Sequence, residues 1–382
     1  MAKIRIGDLK FERAEKEALF KLINTDGRIT EGEYTKKFEK RISEYVGTRY
    51  ATGVNSGTSA LLTALLAIKY SSQKKNLGEY IITSPLTYPA TINAILFAGF
   101  KPLFVDIEDN FCISTEKIED KLVEHKENIS GILPVHLLGF MADMAKIKKI
   151  SERHNLFLVE DCAESFGSMQ KNKNCGSFGD ASIFSFFASH TIGVGELGCM
   201  LTNNPKLYEL ANEIKDNGRR DANGKERCNF LFDSKGLNFK TTEFSSLLGY
   251  YKLGKVKQVI QKRQENVKFI NDAFEKISDN FILPEFSKDI CYFSYPLIIK
   301  NRKFNRLKII EELYKSSIEA RTLFGCLPTQ QKAFSEFKSQ YSGKLPNSES
   351  VGKNAFYLPC HQYLTKENLN YLADAFLKIV KE

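Results

Sequence analysis

No stretch of this chain stays apolar for the roughly 20 residues that a membrane-crossing helix needs. The opening residues, MAKIRIGDLKFERAEKE, carry charge throughout and lack an apolar centre, so no signal peptide is expected there. Paired cysteines are missing as well. The eight cysteines stand at 112, 162, 175, 199, 228, 291, 326 and 360, without a CxxC or CxC among them. That scatter argues against a metal or iron–sulfur centre, and with no export signal it favours buried free thiols in a cytoplasmic protein. No block of like charge interleaves with aromatics, so nucleic-acid binding is not expected. The net charge of +9 comes mostly from lysines spread along the chain, the pattern of a solvated surface.

What is present is an ordinary globular composition, 42% hydrophobic and 26% charged, in a chain longer than one typical domain. From about residue 50 to 204, seven short β-rich runs alternate with helical stretches: YATGVNS, EYIITSP, KPLFVDI, GILPVHLLG, LFLVEDC, ASIFSFF and CMLTNN. Apolar strands separated by helices predict an α/β layer around a mostly parallel sheet. A long amphipathic helix is predicted near 255–279, with Val256, Val259, Ile260, Val267, Ile270, Phe274 and Ile277 at helical spacing. Beyond it come a strand at CYFSYPLIIK, a helix at 303–317, and a last helix that Thr365 would cap. The expected division is a large α/β domain over 1–255 and a smaller α+β domain over 256–382.

Four segments carry residue types suited to chemistry. NSGTSALLTALLA opens a helix with small residues; amides exposed there by glycine and supplemented by hydroxyls make a phosphate cup, although an ordinary helix N-cap is the commoner use. SPLTYPATINAI puts Tyr88 just past a strand end, where an aromatic can cover a flat ring, although a core tyrosine is the commoner use. LFLVEDCAESFGS ends a strand in Glu160 and Asp161, placing a carboxylate at the sheet edge where α/β proteins bind ligands, with an Asp that caps the following turn as the alternative. FSFFASH sets Ser185 on a strand and His190 five residues later, before GEL and a further strand.

Together these segments resemble the DegT/DnrJ/EryC1/StrS sugar aminotransferase family of fold-type I pyridoxal-phosphate enzymes. The resemblance runs from about Leu9 to the C-terminus and includes GLNFKTTEFSSLLG, similar to the family's GYNxxMTxxQAAxG segment. It implies that Gly57, Thr58 and Ser185 hold the cofactor phosphate and that Tyr88 stacks on the ring. Asp161 would pair with the pyridine nitrogen, which keeps the ring an electron sink, and Glu164 would lie near the ring hydroxyl, where Gln is usual. Asn238 would reach the phosphate of a neighbouring subunit, which implies a homodimer with shared active sites.

Position 190 departs most from the aminotransferases. They carry a lysine at position 190 that binds the cofactor covalently, whereas here the nearest lysines are Lys173 and Lys206. An imidazole has no primary amine and cannot form that bond, yet it moves protons near neutral pH. Histidine at this position resembles the branch of sugar 3-dehydratases, which bind pyridoxal or pyridoxamine phosphate without a covalent link. Those enzymes remove the C3 hydroxyl of a nucleotide-linked 4-keto-6-deoxyhexose. SIEARTLFGCLPTQQKAF looks like the dehydratase segment around R-x-L-F, so Arg321 is a candidate for the substrate, as is Arg219 in DNGRRD for the sugar or its diphosphate. Cys228 and Cys291 have no near neighbour, which disfavours the iron–sulfur kind of dehydratase. The kind similar to GDP-4-keto-6-deoxy-D-mannose 3-dehydratase, regenerated by L-glutamate, is preferred. A conventional aminotransferase and a non-catalytic family member remain as alternatives. The loop after His190 also departs, reading GELG with Leu197 where the family has glycine.

Overall fold

The structure, a computed structural model, describes residues 4–25, 27–71, 77–125, 128–220 and 230–381. All seven expected runs form strands: β1 (Tyr50–Val54), β2 (Tyr80–Thr83), β3 (Lys101–Phe104), β4 (Ile129–Leu133), β5 (Phe157–Asp161), then, after a two-residue hairpin of β6 (Met169–Gln170) and β7 (Lys173–Asn174), β8 (Ala181–Ser185) and β9 (Gly198–Thr202). They join in the order β1-β9-β8-β5-β4-β2-β3. Only β9 runs against its neighbours, antiparallel to both β1 and β8. The other pairings are parallel. In β4, β5 and β9 every residue is buried, which is why those segments read as continuous apolar runs. The fourth run forms its strand earlier than expected, at 129–133, because Pro134 has no amide to continue the ladder.

The helix Gly57–Tyr70 follows β1, capped by Ser56, whose side chain accepts from the amide of Ser59. The long helix spans Val256–Phe274 and tightens into a 3-10 turn at Glu275–Ile277. A second sheet follows, β10 (Phe281–Ile282), β11 (Tyr295–Ile299), β12 (Arg321–Thr322) and β13 (Ala355–Leu358), antiparallel throughout in the order β10-β11-β13-β12. The helix expected at 303–317 is Arg306–Lys315, and Thr365 caps the last helix, Lys366–Ile379, in a capping box with Asn368. One apolar core runs through both sheets from Ile4 to Val380, and a second gathers around Phe38, Phe184 and Leu247. No helix among the described residues is long and apolar enough to cross a membrane.

Leu197 belongs to that second core. It is wholly buried and packs beside Gly249, where an added Cβ would stand 3.0 Å from the leucine and 2.8 Å from Phe38. The bulky side chain in GELG therefore occupies space that Gly249 leaves open, instead of blocking the loop.

Candidate active site

Six strands of one direction bring their carboxyl ends to a single edge of the large sheet, where loops collect polar side chains. A cavity of about 420 Å³ opens there, closed on its far side by the second sheet. It brings together eight of the ten predicted site residues: Gly57, Thr58, Tyr88, Asp161, Glu164, Ser185, His190 and Arg321. Gly57 and Thr58 follow β1, Tyr88 follows β2, Asp161 ends β5 and Ser185 ends β8.

The cup at the start of the helix Gly57–Tyr70 is closely built. The first amides of a helix have no partner within it and face outward. A Cβ on Gly57 would lie 2.7 Å from that of Ser185, so only glycine lets the serine hydroxyl come up to the turn. Gly198 does the same from β9, since a Cβ there would stand 2.0 Å from the Ser56 carbonyl. Tyr88 sits just before the helix Pro89–Phe97, 61% exposed and edge-on to Phe324. It is not a core tyrosine; one face is available for stacking.

The two acids at the end of β5 part company, as alternation along a strand requires. Glu160 turns away from the cavity and accepts from the amides of Gly176, Phe178 and Gly179. His136 Nε2 lies 3.3 Å from the same carboxylate. His136, Glu160, Cys162 and Cys175 present potential ligand atoms within 4.8 Å of one another. Because His136 Nδ1 accepts the Ala142 amide, its proton sits on Nε2 and is donated to Glu160. Asp161 faces the cavity. Its Oδ2 accepts from Thr91 Oγ1 at 2.8 Å and its Oδ1 from the Ala163 amide at 3.2 Å. Burial raises its pKa, against those two hydrogen bonds.

His190 is half-buried, with its ring edge-on to Phe187 and, at 5.3 Å between centroids, to Phe293. Its Nδ1 is buried without a hydrogen-bond partner among the described residues. Burial first, and the Arg263 charge further down, lower its pKa to about 4, so the ring is neutral at neutral pH. Glu164 accepts the Leu138 amide at 3.0 Å, and burial pushes its pKa up to about 7.

Two predicted residues stand elsewhere. Asn238 is exposed and bridges to Asp216, away from the cavity of its own chain. Arg219 bridges to Phe232 and lays its guanidinium over the Phe230 ring at 4.6 Å. Arg321 reaches the cavity, but Glu319 already holds its Nε at 2.7 Å. Thr91, Phe293 and Tyr357 also line the cavity and were not anticipated. Thr91 was legible in principle, one helical turn after Tyr88; Tyr357 arrives from the distant second sheet and Phe293 from the segment just before β11.

These residues suit a phosphorylated pyridine. The glycine-walled cup offers amides and a hydroxyl to a phosphate, Tyr88 offers a ring face, and Asp161 is a buried carboxylate with no cation paired to it among the described residues.

Over residues 10–377 the chain matches the DegT/DnrJ/EryC1/StrS aminotransferase family, and it belongs to that family. Its fold is that of the fold-type I aminotransferases. The chain is 31% identical over 364 residues to the GDP-perosamine synthase of Escherichia coli O157:H7, covering 94% of each chain. It is 27% identical to the lipopolysaccharide biosynthesis protein RfbH of Salmonella typhimurium, over 92% of this chain and 86% of that one. Among solved structures, E. coli GDP-4-keto-6-deoxy-D-mannose-3-dehydratase with bound hydrated PLP aligns at a TM-score of 0.89 and 25% identity. That alignment covers 98% of this chain and all of the other.

Proposed function

We propose that this protein is a 3-dehydratase that removes the C3 hydroxyl of a nucleotide-linked 4-keto-6-deoxyhexose, using non-covalently bound pyridoxal or pyridoxamine phosphate. The observation that carries the reading is His190: an imidazole, neutral at neutral pH, stands in the cavity where aminotransferases of the family hold a lysine. Bound pyridoxamine phosphate supplies an amine for the C4 ketone and a conjugated ring through which electrons can expel the C3 hydroxyl.

The chain's own residues supply the rest. The Gly57 and Thr58 amides and the Ser185 hydroxyl bind the phosphate, and Tyr88 covers the ring. Asp161, oriented by Thr91 and the Ala163 amide, holds the ring nitrogen protonated. Glu164 sits near the ring hydroxyl. His190 takes the proton from the cofactor C4′ carbon, a role for which the unprotonated imidazole is required. Without a lysine to capture the cofactor, the product would leave by hydrolysis as a 3-deoxy-4-keto sugar with the nitrogen released as ammonia, and L-glutamate, becoming 2-oxoglutarate, would restore the amine. Arg321 meets the nucleotide sugar. Asn238, outside its own chain's cavity, acts from the second subunit of a homodimer, and Arg219 serves the sugar or its diphosphate.

The test is incubation with pyridoxal phosphate, L-glutamate and GDP-4-keto-6-deoxymannose, following 2-oxoglutarate and sugar mass. Loss of the C3 oxygen together with 2-oxoglutarate is the expected result. An amino sugar would replace this reading with the aminotransferase, which the 31% identity to GDP-perosamine synthase favours and the missing lysine opposes.

A further inference from the structure

The long helix Val256–Phe274 carries a guanidinium on its buried face. Arg263 is 1% exposed. Taking such a group out of water costs several kcal/mol, on the order of what only a close anion or good hydrogen bonds recover. Among the described residues its hydrogen-bond partners are all neutral: Nε donates to Gln362 Oε1 at 2.9 Å, and Nη1 donates to the carbonyls of Tyr292 at 3.0 Å and Phe293 at 2.8 Å. The positive charge is thus solvated by dipoles but not cancelled.

Two of those partners frame His190. The Phe293 ring stands edge-on to the imidazole, 5.3 Å between centroids at 84°. Gln362 Nε2 lies 3.5 Å from the carbonyl of Thr191, the residue after His190. A buried arginine is therefore joined to the catalytic imidazole by two short routes, one through each wall of its setting.

We propose that Arg263 is a positioning residue for His190: its hydrogen bonds to Gln362 and to the Tyr292 and Phe293 carbonyls hold the Phe293 and Thr191 segments around the ring, and its uncancelled buried charge disfavours a second positive charge there. The proposal rests on the reading of His190 as the proton-transfer base. Burial is the largest cause of the low pKa of His190; the backbone of Ala163 and of Ser185 acts in the opposite direction, and the Arg263 charge adds to the lowering. The same charge, again behind burial, helps to hold His361 down at about 3. Other ionisable groups face His190 from every side. Asp161 ends β5 and Glu164 follows it, Glu196 precedes β9, His136 follows β4, and Arg321 and Tyr357 come from β12 and β13. Cys291 approaches Thr191 at 4.0 Å. Of these, Arg321 is the other fixed cation, and Glu319 neutralises it.

The experiment is a histidine-labelled NMR titration of the full-length protein carrying pyridoxamine phosphate. The chain has five histidines, and His190→Gln identifies the signal of interest. Gln362→Glu keeps the side-chain size and brings a carboxylate to the guanidinium, while Arg263→Gln removes the charge and Arg263→Lys keeps it. In the wild type and in Arg263→Lys the ring should stay neutral down to about pH 5. In Gln362→Glu and Arg263→Gln the midpoint should move upward, and the acid limb of the kcat profile should move with it. An unmoved midpoint in Gln362→Glu overturns the proposal, even if Arg263→Gln fails to fold. Should the midpoint move while His190→Gln dehydrates sugar at the full rate, the base assignment fails and the electrostatic link stands.

Discussion

Thr91 Oγ1 donates to Asp161 Oδ2 at 2.8 Å across 70 residues of sequence, and Thr87 Oγ1 lies 2.8 Å from Thr91 Oγ1 in turn. The hydroxyl aims the carboxylate from the first turn of the helix Pro89–Phe97. Thr91→Val keeps the shape and removes the hydrogen bond, a loss of about 1.5–3 kcal/mol when the partner is charged. Cofactor retention measured by equilibrium dialysis should weaken by roughly ten- to hundredfold. Unchanged retention would mean that Asp161 needs no such support.

The missing lysine has a spectral consequence. On the proposed reading, dialysis should strip the cofactor from the wild-type protein readily, because phosphate contacts, stacking and the Asp161 pair would hold it without a covalent bond. His190→Lys should restore a covalent, borohydride-reducible attachment and suppress dehydration. Dehydration at the wild-type rate in that variant would refute the role given to His190.

Glu164 should make the protein less stable as pH rises through mild acid. Its pKa climbs from the usual 4.5 to about 7 in the folded state because burial disfavours the charged form. Between those values the folded chain holds more protons than the unfolded one, so stability is full below about pH 4.5 and declines toward pH 7. His190 works the other way, adding stability as pH rises from about 4 to 6.5. Thermal melts of cofactor-free Glu164→Gln should therefore lose the falling component over that window. A Tm profile parallel to that of the wild type would contradict the buried, raised carboxyl.

Leu197 offers a test of packing apart from chemistry. It is wholly buried against Phe38 and Gly249, so Leu197→Ala should cost about 2–5 kcal/mol of stability. Denaturant unfolding would read this as a fall in midpoint. A cost near zero would show that the side chain is not packed as described.

Much of the architecture was legible because it is written locally. The seven apolar runs, the glycine at the helix start, the acid at the end of β5 and the histidine after β8 each declare themselves within a dozen residues. Hydrophobic period and turn chemistry are short-range properties, and parallel strands carry their loops to one edge without further instruction. Even Arg263 left a trace. The apolar stripe Val256, Val259, Ile260, Val267, Ile270 has a gap one turn before Val267, and the arginine fills it.

What that gap meant could not be read from the helix itself. The buried charge acquires its significance from Phe293 and Gln362, 30 and 99 residues away, which place it behind His190. Leu197 needed Gly249, and Asp161 needed Thr91, for the same reason. Sequence alone determined which residues could do chemistry and on which edge of the sheet they would gather. Tertiary packing decided which of them are desolvated, paired or left facing the cavity, because burial and electrostatics depend on neighbours that the chain brings together only by folding.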